Sequence, residues 1–179
     1  SIQDIVNGKI SVSDIKDFTI EDLLNRDQVK PNLELLSSKI NSKVVMVTGA
    51  GGSIGSEISR QIIKLKPKKI LLLELNEFAL YKINEELKNI NLNIKIIPIL
   101  INIQNKSIIE EVFKIFNVDT VYHSAAYKHV PLVEENICES VKNNVFGTFV
   151  LAQAALKYNV SNFVLISSDK AVRPTNIMG

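Results

Sequence analysis

From Lys43 onward the chain alternates between short runs of β-branched and aliphatic residues and longer stretches whose apolar positions recur every three to four residues. Such alternation reads as βαβ units and a parallel sheet, because strands buried on both faces become continuous apolar runs while the crossover helices stay amphipathic. It predicts strands at Val44 to Thr48, Ile70 to Glu74, Ile94 to Ile99, Thr120 to His123 and Phe163 to Ser167. Four helical segments lie between them. Ile54, Ile58, Ile62 and Leu65 share one face of the first, Leu80, Ile83 and Leu87 of the second, and Ile108, Val112 and Ile115 of the third. The fourth carries Val141, Val145, Phe149, Ala152 and Leu156. Right-handed crossovers then give an α/β protein with a doubly wound parallel sheet of strand order 3-2-1-4-5. Ligands of such sheets sit beyond the carboxyl ends of the strands, where the order reverses.

Residues 1–42 show no strong period and read as a leader with short helices, one of them capped by Thr19 in Thr19-Ile20-Glu21-Asp22 ahead of Leu23-Leu24. Residues 43–179 read as one domain, and a chain of 179 residues buries roughly 70% of its unfolded surface, enough for a core without staples. With 46% hydrophobic residues, 22% charged and a net charge of +2, the composition is that of a soluble globular protein, and no polyanionic partner is implied. Lys64, Lys66, Lys68 and Lys69 surround Pro67 without interleaved aromatics, which predicts a solvated turn rather than a nucleic-acid patch. Cys138 is the only cysteine; this excludes an internal disulfide, suits a reducing cytoplasm and predicts a core position. No apolar run approaches the ~18 residues that span a bilayer, and the polar start lacks the order of a signal peptide. His123 and His129 have no second ligand pair at useful spacing, so no metal site is expected and local hydrogen bonds are their predicted use.

The first strand runs into Thr48-Gly49-Ala50-Gly51-Gly52-Ser53-Ile54-Gly55, after which a helical stripe begins. Gly49, Gly52 and Gly55 are spaced three and three, a variant of the dinucleotide fingerprint of Rossmann domains. One glycine makes the tight turn, another lets the backbone approach a pyrophosphate, and the last lets helix pack on strand. The main-chain N–H groups from Gly51 through Ser53 and Ile54, at the positive end of the helix dipole, then hold phosphates. Glu74 ends the second strand 19 residues after Gly55, where a carboxylate accepts hydrogen bonds from the adenosine ribose and repels a 2′-phosphate. No arginine in Leu75-Asn76-Glu77 compensates, so NAD is expected over NADP. Past the fourth strand, the small residues Ser124, Ala125 and Ala126 allow backbone to approach the nicotinamide half. Past the fifth, Ser168, Asp169 and Lys170 bring a hydroxyl, an acid and a base to the same side of the sheet.

Four strings, Thr48 to Gly55, Ala125-Ala126-Tyr127-Lys128-His129-Val130-Pro131, Asn144-Val145-Phe146-Gly147-Thr148 and Ser168-Asp169-Lys170-Ala171-Val172-Arg173-Pro174-Thr175-Asn176, together resemble the extended short-chain dehydrogenase/reductases. More narrowly they resemble the polysaccharide-biosynthesis nucleotide-sugar 4,6-dehydratases of the UDP-N-acetylglucosamine type, over residues 17–179 and including the leader string Ile20 to Arg26. The resemblance implies a redox-neutral dehydration that borrows and returns a hydride through bound NAD, in which Asp169 protonates the departing C6 hydroxyl and Lys170 removes the C5 proton. Both roles require surroundings that pull the two groups toward neutral pKa values. Ser168 stands where the family has a small hydroxyl residue near the C4 oxygen. Cofactor contacts implied in the same way include Ala125, Ala126, Lys128 and Asn144. Asn102, after the third strand, replaces a common aspartate that contacts adenine, and an asparagine can both accept and donate there.

Met178 occupies the position of the family's tyrosine, and a thioether is no general base, which leaves the C4 base open between Asp169, Ser168 and water. Methionine there is similar to members of the large, membrane-anchored branch. The family's next lysine, later strands and substrate lobe lie past Gly179, so the chain reads as an N-terminal fragment of the catalytic region that binds cofactor with negligible turnover. The resemblance further implies a UDP-sugar substrate, no membrane contact by these residues even where the parent is anchored on the cytoplasmic face, and pairing of copies through the helix from Val141 to Leu156. A nucleotide-sugar epimerase or reductase on the same fold, or a non-catalytic dinucleotide-binding module, are the rival expectations.

Overall fold

A computed structural model describes residues 31–90 and 93–179. The chain divides into two compact units, Ser1–Asn32 and Leu33–Gly179, and the second carries the whole sheet. The capped turn expected at Thr19 and the leader string Ile20 to Arg26 lie outside the described residues.

The second unit runs α1 (Leu33–Ile40), β1 (Val44–Thr48), α2 (Ser53–Lys64), β2 (Lys69–Glu74), α3 (Glu77–Lys88), β3 (Lys95–Leu100), α4 (Lys106–Phe116) and β4 (Thr120–His123). It continues with α5 (Val130–Glu135), α6 (Ile137–Val141), a π-helical turn at Lys142–Gly147, α7 (Thr148–Lys157), β5 (Asn162–Leu165) and a 3-10 turn at Asp169–Ala171. All strand pairs are parallel and the order is β3-β2-β1-β4-β5, the doubly wound Rossmann topology the pattern predicts. β1 and β4 have the expected bounds, and the ends of β2, β3 and β5 differ by one or two residues. β5 stops at Leu165 rather than Ser167, although the Ile166 N–H still donates to the His123 carbonyl at 2.9 Å before Ser168 turns the chain.

Period-two alternation in β1 sends Val44 and Met46 to one face and Val45 and Val47 to the other, and each face has its own core. Val44, Met46, Leu71 and Leu73 pack with Ile109, Val112 and Phe113 of α4 and with Leu151, Ala154 and Ala155 of α7. Val45, Val47, Ile70 and Leu72 pack with Ile62 and Ile63 of α2, with Leu80, Ile83 and Leu87 of α3, and with Ile40 of α1. Each of these larger side chains contributes about 1.5–3 kcal/mol by burial. Of residues 33–42, placed with the leader by their weak period, Ile40 joins the core on one sheet face, and the Lys39 carbonyl accepts from the Thr120 hydroxyl at 2.8 Å.

The second helical stripe is as expected, with Leu80, Ile83 and Leu87 all buried. The others shift. Ile54 is 53% exposed while Ile63 is buried. In α4, Ile108 and Ile115 are exposed, and Ile109, Val112 and Phe113 form the buried face instead. The fourth segment is broken rather than continuous: Val145, Phe149 and Leu156 are exposed, and Leu151, Ala154 and Ala155 are buried. A π turn holds one residue more than an α turn, so the stripe loses phase as it crosses residues 142–147. Cys138, expected in the core, is exposed on α6. Lys64, Lys66 and Lys68 are exposed around the buried Pro67, the solvated turn foreseen.

Candidate functional site

The turn from β1 into α2 depends on two glycines, Gly49 and Gly55, whose places have no room for a Cβ. Gly49 has φ +65°, and a Cβ on it would lie 2.8 Å from Ala125 Cα. A Cβ on Gly55 would fall 2.0 Å from the Gly49 carbonyl oxygen, so turn and helix interlock. Gly52 is the N-cap of α2 and supplies no side-chain cap. The next two helices differ, since Asn76 accepts from Ala79 N ahead of α3 and Asn105 from Ile108 N ahead of α4. The N–H groups of Ser53, Ile54 and Gly55, which a helix leaves without internal acceptors, therefore stay available at the positive end of a twelve-residue helix.

That turn walls a crevice of about 280 Å³, lined by Gly49, Gly51 and Gly52, by Glu74 to Asn76 with Ala79, by Ile101 to Ile103, by Ser124 to Tyr127, and by Asn143. Glu74 is held there by three backbone donors: Gly51 N to Oε2 at 3.0 Å, and Leu75 N and Asn76 N to Oε1 at 2.9 and 3.0 Å. The carboxylate thus fastens the glycine turn to the end of β2. Asn102 Oδ1 accepts from Gln104 N at 2.9 Å, which commits its carbonyl arm. One lone pair of that oxygen and both amide protons remain, so Asn102 keeps an acceptor as well as a donor.

A second crevice of about 400 Å³ adjoins the first across Ser124 to Tyr127. Ile54, Lys128, Asn144, Thr148, Leu165 to Ser168, Lys170 and Met178 line it, with His123 among them. Ser168, Lys170 and Met178 are therefore brought together, and Ser168 Oγ accepts from Lys170 N at 3.0 Å at the head of the 3-10 turn. Asp169 is not among the lining residues. Its side chain is 90% exposed and stands 3.6 Å from the Lys170 ammonium, itself 48% exposed. The burial that acid and base roles call for is not provided by the described residues alone.

Sequence reasoning named Asn144 as a cofactor contact and missed Asn143. Asn143 is buried and lines the first crevice, whereas its neighbour Asn144 lines the second. Asn144 grips backbone, accepting from Tyr127 N at 2.8 Å and donating to Tyr127 O at 2.9 Å. Two adjacent asparagines inside an otherwise apolar helical stripe were the available signal. His123 is 1% exposed and bonded through both ring nitrogens, to Thr48 and to Thr148, and burial pushes its pKa down to about 4. Its predicted use in local hydrogen bonding is what the structure has. Among the described residues no cluster of three metal-binding side chains occurs, and no helix is long and apolar enough to cross a membrane.

Known proteins share both the sequence and the fold of this site. Over its full length the chain is 46% identical to the capsular polysaccharide biosynthesis protein CapD of Staphylococcus aureus, covering 30% of that protein. It is 29% identical over 140 residues to a UDP-N-acetylglucosamine 4,6-dehydratase (inverting) of Campylobacter jejuni, an alignment that covers 78% of this chain and 40% of the relative. A UDP-glucose 4-epimerase from Stenotrophomonas maltophila, solved with bound NAD, superposes with a TM-score of 0.65 at 20% identity, over 72% of this chain and 38% of the other, a likeness of fold alone. The chain thus spans less than half the length of the curated relatives it matches. The sequence profile of the family described as polysaccharide biosynthesis protein matches residues 45–179, from the first strand through Met178, and the chain belongs to that family.

Proposed function

We propose that this chain is the dinucleotide-binding part of a nucleotide-sugar 4,6-dehydratase that acts on UDP-N-acetylglucosamine in the making of surface polysaccharide. The observation that carries the reading is the uncapped glycine turn at the head of α2, tied to Glu74 on one side and adjoining the crevice of Ser168 and Lys170 on the other. The residues suit a nicotinamide dinucleotide. Gly49, Gly51 and Gly52 line the first crevice with backbone alone, the α2 N–H groups receive the diphosphate, and Glu74 receives ribose hydroxyls while disfavouring a 2′-phosphate. NAD is accordingly the cofactor proposed. When bound, it would supply a reversible two-electron oxidation of the sugar.

The chain's own residues handle protons and position. Lys170, in its neutral form, takes the C5 proton made acidic by the C4 ketone; Asp169, in its acid form, gives a proton to the C6 hydroxyl, which leaves as water. Ser168 can donate to the C4 oxygen, since its own oxygen already accepts from Lys170 N. For Asp169 to act, its side chain must turn from solvent toward the crevice, and substrate filling that space would desolvate both groups. Met178 lends bulk but no proton. The chain is as similar to UDP-glucose 4-epimerases, at 30% identity, as to the 4,6-dehydratase, at 29%; the adjacent Asp169 and Lys170 favour dehydration, since simple epimerisation has no C6 hydroxyl to protonate.

The test is product analysis of the longer protein that contains this chain, incubated with UDP-N-acetylglucosamine in deuterated water and followed by NMR. A 4-keto-6-deoxy sugar with solvent deuterium at C5 is expected. A C4 epimer that keeps its C6 hydroxyl would replace the proposal with the epimerase reading. Asp169→Asn and Lys170→Ala should each lower turnover by about 100-fold or more, the usual worth of a positioned acid or base.

A further inference from the structure

One buried polar network has no part in the reading above. Thr148 Oγ1 lies 2.6 Å from the Asn144 carbonyl oxygen, which can only accept, so the hydroxyl proton is directed there. The same oxygen lies 2.8 Å from His123 Nε2 and must accept from it, which places the ring proton on Nε2. Nδ1 is then bare and accepts from the Thr48 hydroxyl at 2.6 Å. With the ring neutral, only one proton arrangement satisfies all of these bonds. Thr48 is 0% and His123 1% exposed, so no water competes for them. Burial also keeps the imidazole neutral, with its pKa pushed down to about 4, and the Phe163 ring lies beside it with centroids 6.2 Å apart.

We propose that His123 is a positioning residue whose two ring nitrogens fasten the end of β1 to the π turn, and so hold Asn144 and the Tyr127 backbone on the wall shared by both crevices. The anchored points are those the site depends on. Thr48 immediately precedes Gly49, and its carbonyl accepts from Ser124 N at 3.2 Å and from Ser124 Oγ at 2.7 Å. Thr148 follows the π turn that sets Asn143 into one crevice and Asn144 into the other. A π turn inside α-helix is intrinsically less favourable, and such turns persist where the surroundings fix them. His123 fixes this one from the sheet side, and Asn144 carries the constraint to Tyr127 through its two backbone bonds. An apolar ring of the same size would fill the space, yet it would leave the buried Thr48 hydroxyl unpaired and Thr148 untethered from the sheet. The inference deepens the dinucleotide reading and rests on it only for the binding readout below.

Thr148→Val removes the hydroxyl at constant shape, and Thr148→Ser restores it. Amide hydrogen exchange in the 179-residue chain should be roughly tenfold faster at Tyr127 in Thr148→Val, with core amides such as Leu72 unchanged and with Thr148→Ser like the parent. NAD⁺ affinity, by calorimetry, should weaken by about the same factor and return in Thr148→Ser. Nitrogen-15 NMR of the parent should find the His123 proton on Nε2 and not on Nδ1. A proton on Nδ1, unchanged Tyr127 exchange in Thr148→Val, or exchange that rises in step at Leu72, would each overturn the proposal. Should the parent itself fail to bind NAD⁺, the dinucleotide reading falls while exchange and tautomer still decide the role of His123. If Thr148→Val does not fold, the tautomer measured on the parent decides it.

Discussion

At the scale of single residues, the site turns on atoms that are absent and on one proton. Gly55 has no Cβ because the Gly49 carbonyl oxygen occupies that space at 2.0 Å, and a backbone oxygen cannot swing aside as a side chain does. Gly55→Ala should therefore cost about 1–3 kcal/mol and abolish dinucleotide binding even where the chain stays folded, as thermal melts and calorimetry with NAD⁺ would record. His123 makes a pH prediction. Its folded pKa, near 4, lies below its unfolded value of about 6.5, so between these values the unfolded chain holds a proton that the folded chain lacks. Stability then rises with pH through that window. It is complete above pH ~6.5 and declines, by up to about 3 kcal/mol, as pH falls toward 4. Urea denaturation at pH 7.5 and 5.0 should show that decline in the parent, and a flatter profile in His123→Gln. Equal slopes in the two proteins would contradict it. These features were only partly legible beforehand. The glycine spacing and Glu74 stand out in the sequence, because backbone angle and charge at fixed offsets leave a local mark. The His123 network joins residues 48, 123 and 148, whose proximity is created by the sheet.

At the scale of elements, strands were easier to read than helix faces. Runs such as Val44 to Thr48 and Ile70 to Leu73 have no rival interpretation, since both faces are buried and every position is apolar or small. In α4 two stripes compete and share Val112: one with Ile108 and Ile115, the other with Ile109 and Phe113. A periodicity count cannot rank them, and contact with Val121 and Leu73 selects the second. The π turn then displaces the phase of everything after Gly147, which a fixed period of 3.6 does not anticipate. Helices α2 and α3 are bridged by Arg60, which bonds Glu86 through two nitrogens and Glu57 through a third; these carboxylates hold the guanidinium well above its usual range. With both partners more than a third exposed, water screens the bridge, and Arg60→Ala should cost less than about 1 kcal/mol by chemical denaturation. A larger loss would mean that the ion pair, rather than the apolar faces of α2 and α3, holds them on the sheet.

For the whole molecule, the doubly wound order brings the ends of β1, β2, β4 and β5 to one side, and the two crevices meet there across Ser124 to Tyr127. Topology was predictable because short parallel strands with right-handed crossovers leave few alternatives. The placement of the proposed acid and base was less so: Lys170 joins the crevice while the Asp169 side chain is 90% exposed, a side-chain matter on which strand order is silent. Binding of a dinucleotide along that edge is the claim on which the rest depends. Titration of the chain with NAD⁺ under amide-resolved NMR tests it most directly. Saturable one-site binding, tighter than for NADP⁺, should move the resonances of Gly49 to Gly55, Glu74, Asn102 and Ala125 to Tyr127. Absence of saturable binding, or shifts gathered at the opposite end of the sheet around Ser42 and Lys66, would contradict it.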